Sequence, residues 1–471
     1  MKSDLKEHPL EFLFNPESIA IVGITTDPDD MGRERFLKPL LDFEFEGQLY
    51  LVNPKGGEIR GLKVYPSIRD IPGRVDFVIV SVPAQLSVSV MEDCIAKGVR
   101  AVAIYSAGFG EVGTEKGEAL EAEITRIARK GGIRVMGPNC MGLYNARSKL
   151  SYRSEYPKDG GPVAFLSQSG GNTTDLVQMA VPRGVRFSKI ISYGNGRDLD
   201  ECDFLDYLTH DPDTEIISMY IEGVKDGRRF VGVLGEAAKV KPVILLKGGH
   251  GEAGTRATAS HTGSLAGDHV AWEGLCRQLG VVQVHTLEEL ADAIITFLFF
   301  PLPQGRRVCL IGVGGGASVL ATDACTKNGF VVPPLPEAVK KRLLEYNPQA
   351  GSILTNPIDT PSILQESRFR ETLKTICAWE GVDMVINFLL SADIFPAYFG
   401  SYDQVVKGMA ESSKICSKPV ALVLQPASYP ETFRETFVAQ KMFASQGFPV
   451  YSTIPRAMNA INKFINYNHR K

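Results

Sequence analysis

What the chain lacks narrows it first. Its eight cysteines, at 94, 140, 202, 276, 309, 325, 377 and 416, form no Cys-x-x-Cys pair. Neither a structural zinc site nor the disulfide framework of a small secreted domain is expected, which leaves a reducing compartment as the default. There is no basic surplus, with 51 Lys and Arg against 54 Asp and Glu, so no nucleic acid and no membrane surface is expected as a partner. The longest apolar run, from Ile294 to Pro301, is too short to span a bilayer. The opening MKSDLKEHPLEFLF mixes acids and bases around no long apolar core and does not read as a signal peptide. A cytoplasmic protein is the expectation. No Walker-type Gly-x-x-x-x-Gly-Lys-Ser/Thr loop occurs, so a nucleotide triphosphate would have to be held by other means.

What is present is a regular rhythm. At 471 residues and 44% hydrophobic content the chain is long enough for about three globular domains. Short β-branched runs at Ser18–Val22, Gln48–Val52, Asp76–Val82, Ala101–Tyr105 and Arg134–Met136 alternate with helical stretches such as Ser87–Lys97 and Glu115–Lys130. The polar stretch from Ser148 to Gly161 reads as a linker, and the rhythm restarts at Val163–Leu166, Lys189–Ser192, Glu215–Ile221 and Val243–Leu246. After Pro301–Gly305 it resumes at Val308–Val313, Met384–Leu389 and Val420–Leu424. The pattern predicts an α/β protein of three Rossmann- or flavodoxin-like parallel-sheet domains, over residues 1–147, 148–300 and 301–471.

In each predicted domain the first strand runs into a small-residue loop that opens a helix. These loops begin at Gly23, at Ser167-Gln168-Ser169-Gly170-Gly171 and at Gly314-Gly315-Gly316-Ala317-Ser318. Such junctions aim unpaired N–H groups at the positive end of a helix dipole and suit phosphate, although a strand-to-helix turn uses glycine for steric reasons alone. The first loop is not Gly-x-Gly-x-x-Gly, and the second strand ends in Asn53-Pro54-Lys55 in place of an acid for a ribose diol. That disfavours a nicotinamide oxidoreductase; Lys55 suits a phosphorylated ribose as in CoA, with NADP and a solvated surface lysine as the alternatives. The segment from Lys247 to Gly267 is dense in small residues and carries His250 and His261. An imidazole there can attack a phosphoryl group when one nitrogen is free and an acceptor orients the other.

Gly137-Pro-Asn-Cys-Met-Gly142, Ser167-Gln-Ser-Gly170, Tyr220-Ile-Glu222-Gly223 and Ala259-Ser-His261-Thr-Gly-Ser-Leu-Ala-Gly267 occur in order. With these motifs the chain resembles, over essentially its whole length, the α subunit of the ADP-forming acyl-CoA synthetases, in the succinyl-CoA synthetase superfamily. The resemblance implies an acid–thiol ligase subunit that converts carboxylic acid, CoA and ATP into acyl-CoA, ADP and phosphate through an acyl phosphate and a phosphohistidine. It implies His261 as the phosphoryl carrier and Glu222 as the acceptor that orients its ring; a solvated strand-end acid is the plainer role for Glu222. Gly23, Thr25, Lys55 and Pro83 would line the nucleotide end of CoA, and Asn139 and Cys140 its thiol end, with Cys140 more simply a buried small hydrophobe. Ser167, Ser169, Gly170, Gly171, Gly315, Gly316 and Ala317 would hold phosphate. No metal site is implied on this chain. ATP or ADP and Mg²⁺ would be held by an ATP-grasp β subunit in an α2β2-like heterotetramer, with a small carboxylic acid as the remaining substrate. The alternative is a catalytically silent CoA-binding regulatory module of the same fold. Two features depart from the family pattern. The first loop is acidic, with Asp27, Asp29 and Asp30, and the loop from Gly312 to Ser318 lacks Asn and Pro around its glycines.

Overall fold

In the computed structural model the described residues are 5–25, 27, 34–249, 254, 269–347, 351–389, 402–425 and 430–470. They form two compact units, one of residues 1–177 and 186–287 and the other of residues 178–185 and 288–471.

The first unit carries two sheets. The first sheet is built from β1 (Ser18–Val22), β2 (Gln48–Val52), β3 (Gly57–Ile59), β4 (Leu62–Tyr65), β5 (Phe77–Val80), β6 (Ala101–Ile104) and β7 (Arg134–Met136), in the order 3-4-2-1-5-6-7. β1 lies parallel to both β2 and β5, with Ala20 opposite Tyr50 and Val78, and every residue of β1 is buried. A strand covered on both faces reads as a near-continuous apolar run, here IAIV, in place of an alternating one. The antiparallel β3–β4 hairpin escapes a reading by hydrophobic runs. It turns through Arg60 and Gly61, both in the left-handed region with φ 54° and 77°, as a two-residue hairpin turn requires. The helix Glu115–Gly131 shows how local sequence sets an element's ends. Thr114 accepts the Gly117 N–H at its start, and Gly132 at φ 67° terminates it.

The second sheet comprises β8 (Gly142–Asn145), β9 (Val163–Ser167), β10 (Phe187–Ser192), β11 (Ile216–Ile221), β12 (Val243–Lys247) and β13 (Val282–Val284), in the order 13-12-11-9-10-8. Its antiparallel edge strand β8 precedes residue 148 in the chain and pairs with β10. The stretch from Ser148 to Gly161 is not an open linker. Tyr152 and Tyr156 are buried in it with hydroxyls 3.1 Å apart, and Pro157 O accepts the Tyr144 hydroxyl at 2.7 Å. Buried tyrosines fold this polar sequence back against the edge of the sheet, where each ring finds packing and each hydroxyl a partner.

In the second unit β14 (Val308–Gly312), β15 (Ile353–Leu354), β16 (Ile358–Asp359), β17 (Met384–Leu389), β18 (Val420–Leu424) and β19 (Val450–Tyr451) run in the order 15-16-14-17-18-19. Alternate residues of β14 face two apolar layers, Cys309 and Ile311 on one side and Val308 and Leu310 on the other. A buried carboxylate, Asp292, is held by Arg183 and Arg456, each at 2.6 Å. Cys377 and Cys416, 5.6 Å apart at Cα, form a disulfide, while the other six cysteines are free and buried. A sequence separation of 39 hides this pair from a spacing argument, because packing of the helix Glu366–Ala378 beside the turn before β18 brings them together. Among the described residues no helix is long and apolar enough to cross a membrane.

Candidate active site

Parallel sheets place their ligands outside the carboxyl ends of the strands, where the strand order reverses. In the first sheet that point lies between β1 and β5. Gly23 follows β1 at φ 95°, and a methyl group on it would stand 2.3 Å from Ser81 O, so only glycine lets the two strand ends meet. Asn53 after β2 donates to Ile24 O at 2.6 Å and accepts the Lys55 N–H at 2.9 Å, which shapes the turn and leaves the Lys55 side chain exposed. Thr25 Oγ1 accepts the Asp27 N–H at 3.1 Å; Asp29 and Asp30 lie outside the described residues. Pro83 is exposed beyond β5. Asn139, after β7, takes φ 56° and donates its N–H to Ser106 O at 3.1 Å. Thus Gly23, Thr25, Lys55, Pro83 and Asn139 all lie on loops leaving the carboxyl edge of one sheet. Cys140 is placed differently. Its buried thiol faces the carbonyls of Ile104 and Met136, and burial pushes its pKa up to about 12. A thiol so placed is a packing group and a poor nucleophile.

In the second sheet the reversal falls between β9 and β11. Ser167 Oγ donates to Ser169 O at 2.7 Å and accepts the Ser169 N–H at 3.1 Å, and Ser169 Oγ accepts the Asn172 N–H. These bonds hold open the start of the helix Gly170–Ala180, with Gly170 half-buried and Gly171 exposed. A methyl group on Gly170 would stand 2.5 Å from Met141 Cγ, so this loop packs directly on the Gly137–Gly142 turn. Across the reversal point Gln168 Oε1 accepts the N–H groups of Glu222 and Gly223 at 2.8 and 3.3 Å. The Glu222 carboxylate accepts the Tyr220 hydroxyl at 3.2 Å, and the residue is 7% exposed. Buried Lys247, at the end of β12, donates to the Glu222 carbonyl at 2.7 Å; burial lowers its pKa to about 8 against the pull of Glu222. A methyl group on Gly248 would stand 2.8 Å from the Tyr220 hydroxyl and 3.5 Å from Glu222 Cγ. The chain that leads to His261 therefore starts against Glu222. His250 and His261 lie outside the described residues.

In the third sheet, β14 runs into Gly314 and the helix Gly315–Lys327, with Gly315 and Gly316 exposed and Ala317 half-buried. The loop's first donor is already taken, since Asp359 Oδ1 accepts the Gly314 N–H at 2.6 Å. Asn356 accepts the Leu310 N–H at 3.0 Å and donates to the carbonyls of Val308 and Pro333. The segment Asn356-Pro357-Ile358-Asp359, some 45 residues later in sequence, thus ties to β14 through Asn356 and to the start of the glycine loop through Asp359. Gln168, Lys247, Asn356 and Asp359 escape the sequence reading. The last two had a local signal, Asn-Pro-x-Asp opening a strand, whereas Gln168 and Lys247 are defined by their neighbours across the sheet.

Among the described residues Asp200, Glu201 and Cys202 bring possible metal-ligand atoms together. However, Asp200 caps the helix Glu201–His210 and pairs with Arg229 at 3.2 Å, which already supplies the positive charge.

These loops define a class of α/β chain with ligand loops at the carboxyl ends of separate parallel sheets. Residues 17–146 match the family model of the CoA binding domain, and residues 160–297 match that of the succinyl-CoA ligase like flavodoxin domain. The chain is 35% identical over 447 residues to acetate–CoA ligase [ADP-forming] II subunit alpha of Pyrococcus furiosus, covering 94% of each. It is 34% identical over 469 residues to the I subunit alpha of the same organism, covering 98% of each. The solved acetyl-coenzyme A synthetase 1 of Ca. Korarchaeum cryptofilum, in complex with phosphate and ADP, is similar at a TM-score of 0.80 and 33% identity, over 98% of this chain and 97% of that one. The chain belongs to the α subunits of the ADP-forming acyl-CoA synthetases, in the succinyl-CoA synthetase superfamily. It is accordingly a CoA-binding acid–thiol ligase subunit and not a silent module of the same fold.

Proposed function

We propose that the chain carries the acyl and phosphohistidine half of the reaction acid + CoA + ATP ⇌ acyl-CoA + ADP + phosphate. In the direction of ATP synthesis, phosphate displaces CoA from acyl-CoA to give an acyl phosphate. His261 attacks its phosphorus and releases the acid, and ADP takes the phosphoryl group from His261. The supporting observation is the position of Glu222. It sits at the reversal point of the second sheet with its backbone held by Gln168, and its side chain packs against Gly248 at the root of the segment bearing His261. A carboxylate there accepts one imidazole N–H, leaves the other nitrogen nucleophilic and stabilises the cation formed on phosphorylation. In this reading Ser167, Ser169, Gly170 and Gly171 hold the phosphoryl group at the start of the helix Gly170–Ala180, whose dipole neutralises it without giving it a proton; the Ser169 N–H is itself taken by Ser167 Oγ. Gly315, Gly316 and Ala317 are the second such set, with Asp359 occupying the donor before them.

CoA lies along the first sheet in this reading, its phosphates near Gly23, Thr25, Lys55 and Pro83 and its thiol near Asn139 and Cys140. The exposed ammonium of Lys55 fits a phosphate-bearing ligand. Residues 1–147, 148–300 and 301–471 are then the CoA domain and two ligase domains; the two matched family models fall inside the first pair. ATP, ADP and Mg²⁺ belong to an ATP-grasp β subunit, assembled as an α2β2-like heterotetramer. The name of the Pyrococcus relatives as α subunits supports a partner. Relatives named for acetate and 4-hydroxybutyrate support a small carboxylic acid. A cytoplasmic location is part of this reading, with six of the eight cysteines unpaired and buried and the Cys377–Cys416 disulfide as the exception. Mass spectrometry of the acid-labile phosphate tests the assignment. Label is expected on His261 and absent from His261→Ala; label that persists in that variant, or resides on His250, overturns it.

A further inference from the structure

The loop Tyr193–Gly196, with Arg197 after it, belongs to none of the sites above, yet it joins two of them. On one side it is seated on the Gly137–Gly142 turn. A methyl group on Gly194 would stand 2.3 Å from the carbonyl oxygens of both Pro138 and Asn139. Asn195 N–H donates to Pro138 O at 2.9 Å and Arg197 N–H to Gly137 O at 3.3 Å. The loop is pinned sideways by the buried Asn195 amide, which donates to Glu111 Oε2 at 2.6 Å and to Glu121 Oε2 at 2.7 Å. On the other side stands Lys225, three residues beyond Glu222. Its Nζ donates to Asn195 O at 2.5 Å and to Gly196 O at 2.7 Å.

Gly194 and Gly196, at φ 64° and 59°, turn the loop tightly. Two carbonyl dipoles directed at one point repel each other unless a cation lies between them, and a lysine ammonium there makes two charge-assisted bonds. We infer that Lys225 is a positioning residue for the CoA-dependent step. By holding the carbonyls of Asn195 and Gly196 it fixes the Pro138–Asn139 turn, and with it the thiol end of CoA, at a set distance from Glu222. This rests on the reading of Asn139 and Cys140 as the thiol end of the CoA site.

The consequence is a split between half-reactions. Phosphorylation of the enzyme from Mg·ATP needs no CoA, so it feels the turn only through the packing of Gly170 on Met141 and is expected to change far less than the CoA-dependent step. Transfer of an acyl group to the thiol depends on approach distance, and a displacement of about 1 Å in such a step costs on the order of 100-fold. In the assembled enzyme, Lys225→Met is expected to lower kcat/KM for CoA by about 10- to 100-fold while incorporation of labelled phosphate from Mg·ATP stays within about twofold of wild type. Lys225→Arg restores most of the loss. The pH profile supplies a readout that a merely structural lysine would not move. Burial and the Arg197 charge lower the Lys225 pKa to about 8, opposed by Glu201 and Asp200 at the start of the facing helix. The CoA-dependent rate of wild type should therefore fall as pH rises through about 8, and the same limb should move upward in Lys225→Arg, which stays protonated. Equal losses in both half-reactions, no loss in either, or an unmoved alkaline limb would overturn the inference. If wild type takes up no phosphate from Mg·ATP, the phosphohistidine reading fails and not this one.

Discussion

The junctions after β9 and β14 share a local pattern and differ in the side chains that the sheet brings to them. Each is a buried strand that runs into small residues and a helix. After β9 the loop's donors are met by hydroxyls, Ser167 Oγ accepting the Ser169 N–H and Ser169 Oγ the Asn172 N–H, while Gln168 Oε1 accepts the N–H groups of Glu222 and Gly223. After β14 the neighbouring carboxylate is turned onto the loop, and Asp359 takes the Gly314 N–H at 2.6 Å. A helix start with its own acid in place already has part of its dipole satisfied, whereas one without keeps its anion-binding capacity for a ligand. A glycine-rich loop is thus only half of a phosphate site. The other half is which side chain the next strand delivers.

The largest effect that would sharpen this contrast is expected at Glu222. Glu222→Gln keeps the shape and should leave the circular dichroism spectrum unchanged. It should also slow phosphorylation of the chain by about 10²- to 10⁴-fold, because an amide orients the imidazole less firmly and does not stabilise its cation. Rapid-quench measurement of phosphate uptake at wild-type rate would make Glu222 a structural strand-end acid, and the two junctions would no longer differ in kind.

A second difference lies in how each unit treats a carboxylate near its sheet. Burial raises the Glu201 carboxyl in the first unit to about 7. Burial opposes ionisation of Asp383 in the second unit as well, but the Arg307 guanidinium at 2.7 Å and the Arg307 N–H hold it below its ordinary value. A carboxyl whose pKa is raised on folding contributes stability that is present below its unfolded value of 4.5 and lost as pH rises through about 7. The span corresponds to roughly 3 kcal/mol. Urea unfolding at pH 5 and pH 8 should show the first unit weaker at the higher pH, and Glu201→Gln should flatten the difference. An unchanged slope in that variant would mean that Glu201 is ionised in the folded chain.

The smallest effect is expected at Asp359. Asp359→Ala leaves the Gly314 N–H without its acceptor and should cost the second unit about 1 kcal/mol in thermal or urea unfolding, as loss of a helix cap does. Asp359→Asn keeps an acceptor and should cost only a few tenths of that. Equal losses in the two variants would show that the charge on Asp359 matters and its hydrogen bond does not.

Much of this was written locally. IAIV within β1 and VALVL for β18 are continuous apolar strands because both faces are covered, and such runs are visible without any structure. The small-residue loops after β9 and β14 were equally plain, and the order of the motifs sufficed for the family. The elements that escaped are short or at edges. β3 and β4 depend on a turn at Arg60-Gly61, β8 is a four-residue antiparallel edge, and Tyr152 and Tyr156 bury a stretch whose composition reads as a linker.

Chain sequence by itself therefore determined the alternation of strand and helix, the places where backbone N–H groups gather, and the residue types available for phosphoryl chemistry, because each depends on neighbours within a turn or two. Tertiary structure alone decided which acid meets which loop, that Cys140 faces two carbonyls, that Cys377 reaches Cys416, and that Lys225 bridges the turn beside Asn139 to the strand of Glu222. Those partners are brought together by strand order and register, and the pairings come from packing the whole sheet, which no local stretch of sequence encodes.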